Sequence, residues 1–230
     1  MNIALDDQQL RISFQRAESD VAVVAFTGVG LALGGIQTEE FYKTFAAFGR
    51  TEACSVIYVI DKNRSWYNGH LDREITQRTN QLLLSLGARR TVTLGNSMGG
   101  FGAIVFARRL HGCVQSIAFC PQSSVNDAIV PFESRWPQWR AAISDWTLPD
   151  ATRELDEGIS YDLFFGAEDE IDARHAERFE RCGRRNLHIH RIAGCDHNVA
   201  LHLKRQGALK GLLQELIWPA EHRAPAADPL

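Results

Sequence analysis

The chain has 230 residues, 45% hydrophobic and 23% charged, with a mean hydropathy of -0.20. That balance excludes a disordered tail, a collagen-like repeat and a disulfide miniprotein, and the length allows burial of about 70% of the surface an unfolded chain exposes. Lys plus Arg number 25 against 28 for Asp plus Glu, a formal net charge of -3, so no chain-wide attraction for phosphate backbones is expected and nucleic acid is not a default partner.

Met1-Asn-Ile-Ala-Leu-Asp-Asp lacks a basic segment followed by an apolar core, so no signal peptide is expected. No apolar run approaches the roughly 20 residues that span a bilayer. The five cysteines are scattered and form no Cys-x-x-Cys pair, as suits a reducing, cytoplasmic compartment. Leu10–Gln15 alternates apolar and polar and reads as an edge strand. Val21–Thr27 is continuously apolar up to Gly28, as a strand covered on both faces would be.

A helix is expected over Thr38–Phe48, with Glu39 and Glu40 in its first turn. Ser55–Ile60 reads as a strand and about Leu71–Leu86 as a helix ended by Gly87. Thr91–Leu94 is a short strand leading through Gly95 into a helix from about Met98 to Leu110, followed by a strand at Val114–Phe119. Tyr161–Phe165, a helix over Asp172–Cys182, a strand at Leu187–Ile192 and a helix over Asn198–Trp218 complete the series. Alternating strands and helices predict an α/β fold, a mainly parallel sheet with helices on both faces. Residues 1–218 are consumed by one domain. Its rhythm breaks at about 122–158, where Trp136, Trp139 and Trp146 stand among prolines, as in a short cap insert. Residues 219–230 read as a flexible tail.

The chemistry concentrates in Gly95-Asn-Ser-Met-Gly99, at a strand-to-helix turn. A sharp turn there lifts the Ser97 hydroxyl above the sheet, and glycines remove the Cβ atoms that would clash. Serine needs a base. Among eight histidines His197 follows the last strand, at the sheet edge that also carries Ser97. The acid is sought in Gly166-Ala-Glu-Asp-Glu-Ile-Asp172. Asp169 ranks first; Asp172 competes, though it also reads as the N-cap of the following helix. Backbone amides for an oxyanion are expected from Met98 and from Gly28 or Val29. Asp61, Arg64, Trp66, Tyr67 and Gln122 follow two further strands and fit a polar, aromatic pocket for a hydroxylated substrate. The alternative is that Asp61 holds its loop through side-chain-to-backbone bonds while Trp66 caps the core. No metal motif, dinucleotide fingerprint or phosphate loop is present, so neither metal nor other cofactor is expected.

These motifs, in the order Gly95–Gly99, Gly166–Asp169 and Asp196-His197, resemble the α/β-hydrolase superfamily over about Leu10–Trp218. The resemblance implies Ser97 as nucleophile, Asp169 as acid and His197 as base. It further implies cleavage of a carboxylic ester or thioester through an acyl-enzyme. Ser97-Met-Gly-Gly-Phe-Gly-Ala103 is similar to the elbow of small esterases and acyltransferases acting on carbohydrate or glutathione esters. Phe26-Thr-Gly-Val-Gly30 lacks the His-Gly pair of many lipases. The segments at Asp61–Asn68 and Pro121-Gln122 resemble bacterial hydrolase-like proteins found with surface-polysaccharide or glycoprotein machinery. A small-molecule or carbohydrate ester is the implied substrate. Acyl transfer with the same residues and a non-catalytic binding role are the alternatives, and the oligomeric state stays open.

Overall fold

A computed structural model describes residues 1–30, 38–49 and 53–219; the expected tail lies outside them apart from Pro219. At the centre is β3 (Val21–Phe26), whose side chains alternate between two apolar layers. Ala22, Val24 and Phe26 enter one layer, Val23 and Ala25 the other. A strand apolar at every position is stable only with both faces covered. On the first face lie α2 (Leu71–Leu86), α3 (Met98–Ala107) and α5 (Glu170–Glu180). Every residue of α3 is buried, as its Gly- and Ala-rich, uninterruptedly apolar sequence requires. The second face is covered by α1 (Tyr42–Ala46), α6 (Val199–Arg205) and α7 (Leu209–Ile217). In α7, Leu209, Leu213 and Ile217 recur at helical spacing and form its buried stripe.

The remaining strands are β1 (Asn2–Asp6), β2 (Leu10–Gln15), β4 (Ser55–Asp61), β5 (Arg90–Asn96), β6 (Cys113–Phe119), β7 (Ser160–Gly166) and β8 (Leu187–Ile192). They form one sheet in the order β1-β2-β4-β3-β5-β6-β7-β8. All pairs are parallel except β1–β2 and β2–β4. Register sets Phe26 beside both Val59 and Gly95, and Asn96 beside Phe119. The loops that leave these strands therefore meet at one sheet edge.

Four local features depart from the sequence reading. Strand β1 lies outside the expected series and takes the sheet edge expected of β2 (Leu10–Gln15), which instead pairs on both sides; with no buried side chain, β1 is hardly marked by hydrophobic periodicity. The first helix is confined to Tyr42–Ala46. The last helix is two, α6 and α7, separated around Gly207, whose φ of 74° ends the first. Helix α5 starts at Glu170, two residues before its expected start, with Asp169 as its N-cap.

The segment between β6 and β7 holds α4 (Pro137–Ala141) and a single 3-10 turn at Ala151–Arg153. It is fastened to the body through Leu148 N–H to Asn68 Oδ1 (2.8 Å) and Arg178 to Asp150 (2.7 Å). Its Trp136 ring lies 5.8 Å from that of Trp66 and 5.7 Å from His197. The insert thus covers the sheet edge where the loops converge.

Candidate active site

Ser97 joins β5 to α3 with φ 57° and ψ -120°, a conformation disfavoured for a residue with a Cβ. The turn is held by Ser97 N–H to Phe119 carbonyl (2.8 Å) and Phe101 N–H to Ser97 carbonyl (3.0 Å). Glycine is required on either side: a Cβ on Gly95 would sit on the Gly99 carbonyl, and one on Gly99 on the Phe26 carbonyl. This close approach places the hydroxyl at the N-terminus of α3, where the first backbone N–H groups lack intrahelical partners.

Ser97 Oγ lies 2.9 Å from His197 Nε2. His197 Nδ1 lies 2.9 and 2.8 Å from the two carboxylate oxygens of Asp172. A carboxylate only accepts, so Nδ1–H donates to Asp172 and Nε2 is left to accept the serine proton. The acid in contact is therefore Asp172, which corrects the expectation of Asp169. The two aspartates exchange the places given them by sequence. Asp169 Oδ1 accepts the Asp172 backbone N–H (2.8 Å) and caps α5, while Asp172, in the first turn, points inward and is buried. Burial works to raise the Asp172 carboxyl. The hydrogen bond from His197 and the charges of His197 and Arg135 outweigh that, and its pKa is lowered.

Compared by sequence, the chain matches no family model and no curated protein. Solved structures do match. An esterase of Pyrobaculum calidifontis is similar with a TM-score of 0.60 at 15% identity, over 90% of this chain and 79% of that one. MenH from S. aureus is similar with a TM-score of 0.57 at 15% identity, over 91% and 98%. The capsule O-acetyltransferase of Neisseria meningitidis serogroup A reaches 0.58 at 13% identity, over 89% and 93%. The chain has the α/β-hydrolase fold.

Within that hydrolase fold, Gly28 and Val29 follow β3 beside the elbow. A Cβ on Gly28 would come within 2.7 Å of the Asn96 carbonyl, so close approach, not a positive φ, demands glycine there. Val29 is buried and its carbonyl accepts Arg64 Nε at 3.4 Å. Met98, also buried, opens α3 directly after Ser97.

The expected pocket residues divide into two groups. Asp61 is fully buried and accepts the backbone N–H groups of Asn63 (3.0 Å), Ser65 (2.7 Å) and Tyr67 (3.0 Å), besides the Ser65 hydroxyl (2.9 Å). Its pKa is raised because burial outweighs those bonds. Tyr67 donates its hydroxyl to the Thr27 carbonyl (2.7 Å) and packs edge-on to Phe26. Both side chains thus build the loop and core and do not line a pocket, so the loop-holding alternative describes Asp61. The strain they hold is visible in positive φ at Arg64, Trp66 and Tyr67. Of the remaining three, Gln122 alone touches Ser97. Trp66 Nε1–H donates to Gln122 Oε1 (3.0 Å), and Gln122 Nε2–H donates to Ser97 Oγ (3.2 Å). The Arg64 guanidinium lies over the Trp139 ring at 4.6 Å, between the β3 loop and α4.

Sequence reasoning missed Arg135, since nothing in its spacing marks it. Its Nη1 lies 3.0 Å from Asp172 Oδ1 and 2.9 Å from His197 Nδ1, so the two N–H groups converge on one carboxylate. Behind it, Glu133 accepts from Arg135 Nη2 (2.7 Å) and from His175 Nε2 (3.0 Å). The His175 tautomer is set because Ser123 N–H donates to Nδ1 (3.1 Å), leaving Nε2 protonated. Burial raises the Glu133 carboxyl, but bonds from His175 and Arg135 hold it at about 2. Burial also lowers the His175 pKa, against the opposing influence of Glu133.

Among the described residues one group has metal-ligand composition: Cys120, Asp172 and His197, with ligand atoms within 4.8 Å of one another. His197 Nδ1 and Asp172 are already bonded to each other, and burial pushes the Cys120 thiol well up, away from the thiolate a metal would need. All five cysteines are free, and no described helix is long and apolar enough to cross a membrane.

Proposed function

We propose that the chain is a serine hydrolase that cleaves a carboxylic ester or thioester through an acyl-enzyme on Ser97. The observation that carries this is the run of hydrogen bonds from a strained elbow serine through His197 Nε2 and Nδ1 to a buried carboxylate. Ser97 Oγ attacks the carbonyl as its proton passes to His197. Asp172 holds the imidazole in the required tautomer and stabilises its cation. The carbonyl electron pair moves to oxygen, which the Met98 amide and the Gly28–Val29 backbone receive. Collapse expels the leaving group with the proton from His197, and water activated by the same histidine releases the acid.

The similarity to the capsule O-acetyltransferase supports one extension, that a sugar hydroxyl takes the place of water in the second half-reaction. The residues are the same for both. Five unpaired thiols support a cytoplasmic location. The test is turnover of p-nitrophenyl acetate by purified protein, with and without carbohydrate acceptors, beside Ser97→Ala. Hydrolysis lost in Ser97→Ala supports the reading, and acetylated sugar formed at the expense of acetate selects transfer. A folded protein inert toward acetyl, butyryl and thioester substrates overturns it.

A further inference from the structure

We propose that Gln122 is a further catalytic residue, its side-chain amide supplying a hydrogen bond to the acyl oxygen as the tetrahedral intermediate forms. The inference rests on the serine-hydrolase reading above. Gln122 is fully buried and is delivered to the elbow by Cys120, which leaves β6 with a φ of 45°. A carboxamide can present either its oxygen or its nitrogen, and here the choice is fixed chemically. The indole N–H of Trp66 can only donate, and at 3.0 Å it engages Oε1, which turns Nε2 toward Ser97 Oγ at 3.2 Å. The Cys120 carbonyl accepts from the same nitrogen at 3.5 Å. Trp66 is itself buried and held at positive φ in the loop that Asp61 organises, so the amide is pre-set before any substrate arrives.

The chemistry follows the serine oxygen. Its proton goes to His197 Nε2, one lone pair accepts from Gln122, and the other attacks the carbonyl carbon. As the Oγ–C bond forms, the carbonyl π pair moves to oxygen, and Oγ becomes an ether-like oxygen, then an ester oxygen, both weak acceptors. The new oxyanion is bonded to the same carbon as Oγ. The N–H released by Oγ therefore meets a strong acceptor a short rotation away. Such a bond is stronger in the transition state than in the ground state, so it acts on kcat and not on substrate affinity.

The experiment compares wild type with Gln122→Leu, which removes the donor at similar size, and Gln122→Glu, which keeps an acceptor for Trp66 and replaces the donor. Each is assayed for kcat and KM on p-nitrophenyl acetate, for inhibition by an aryl trifluoromethyl ketone, and for thermal melting. Expected is a loss of about 10²-fold in kcat with KM little changed, and weaker trifluoromethyl ketone inhibition in proportion. Trp66→Phe, which frees the amide to flip, is expected to lose less. A folded variant of either kind with kcat within about threefold of wild type overturns the proposal, as does a loss confined to KM. If wild type itself neither turns over esters nor is inhibited, the hydrolase reading has failed, and a normal wild type beside a normal Gln122→Leu condemns only the role of Gln122.

Discussion

Replacing Asp172 and Asp169 by Asn, one at a time, separates the two carboxylates that share the β7–α5 turn. Asp172 is buried and faces His197 Nδ1 with both oxygens, while Arg135 Nη1 donates to Oδ1 at 3.0 Å. In Asp172→Asn the arginine, which can only donate, retains the single remaining oxygen. The new NH2 is thereby turned toward Nδ1, which must then accept, moving the imidazole proton to Nε2. A protonated Nε2 cannot take the Ser97 proton. By analogy with the same substitution in a Ser-His-Asp protease, the loss in kcat is about 10⁴-fold, or about 5 kcal/mol of transition-state stabilisation. Asp169 bonds the Asp172 backbone N–H, and asparagine caps a helix as well as aspartate does, so Asp169→Asn is expected to keep kcat within about threefold. The assay is steady-state hydrolysis of p-nitrophenyl acetate, with melting curves to establish that both variants fold. A crippled Asp169→Asn, or an Asp172→Asn that keeps a tenth or more of wild-type kcat, would refute the reasoning.

Acid sensitivity follows from Glu133. Its folded pKa of about 2 lies below the ordinary 4.5, so its stabilisation is complete above 4.5 and is lost as pH falls toward 2, with a magnitude on the order of 3 kcal/mol. The melting temperature should fall across that window, and less steeply in Glu133→Gln; parallel slopes would contradict this. Gly95→Ala drives a Cβ onto the Gly99 carbonyl, and a cost of at least about 2 kcal/mol, or about 4–8 °C in melting temperature, is expected. Gly211→Ala has no described neighbour within 4 Å and lies in α7, so it should instead raise stability by up to about 1 kcal/mol. A Gly95→Ala protein that melts with wild type would show that the elbow relaxes freely.

Sequence legibility tracks how locally each feature is determined. Gly95-Asn-Ser-Met-Gly99 was readable because adjacent residues impose the elbow, and its strained Ser97 is where it was expected. His197 was found by position, since the strand-then-helix order puts it on the serine's edge. The acid was lost to an N-cap misplaced by three residues: moving it from Asp172 to Asp169 exchanges the capping and inward-facing carboxylates. For Asp61, at the end of β4, and Tyr67, just beyond it, the sequence leaves pocket lining and loop holding both open, because only the backbone path of the loop decides that they turn inward. Arg135 and Glu133 meet Asp172 and His175 across more than 35 residues of chain, a relation no local pattern carries.

The nucleophilic serine is the central claim, and covalent labelling tests it most directly. Purified protein treated with a fluorophosphonate probe is digested and mapped by mass spectrometry, beside Ser97→Ala and His197→Ala. One adduct is expected, on the peptide that contains Ser97, absent from Ser97→Ala and strongly reduced in His197→Ala. A folded wild type that takes up no probe, or labelling that persists in Ser97→Ala, would contradict it.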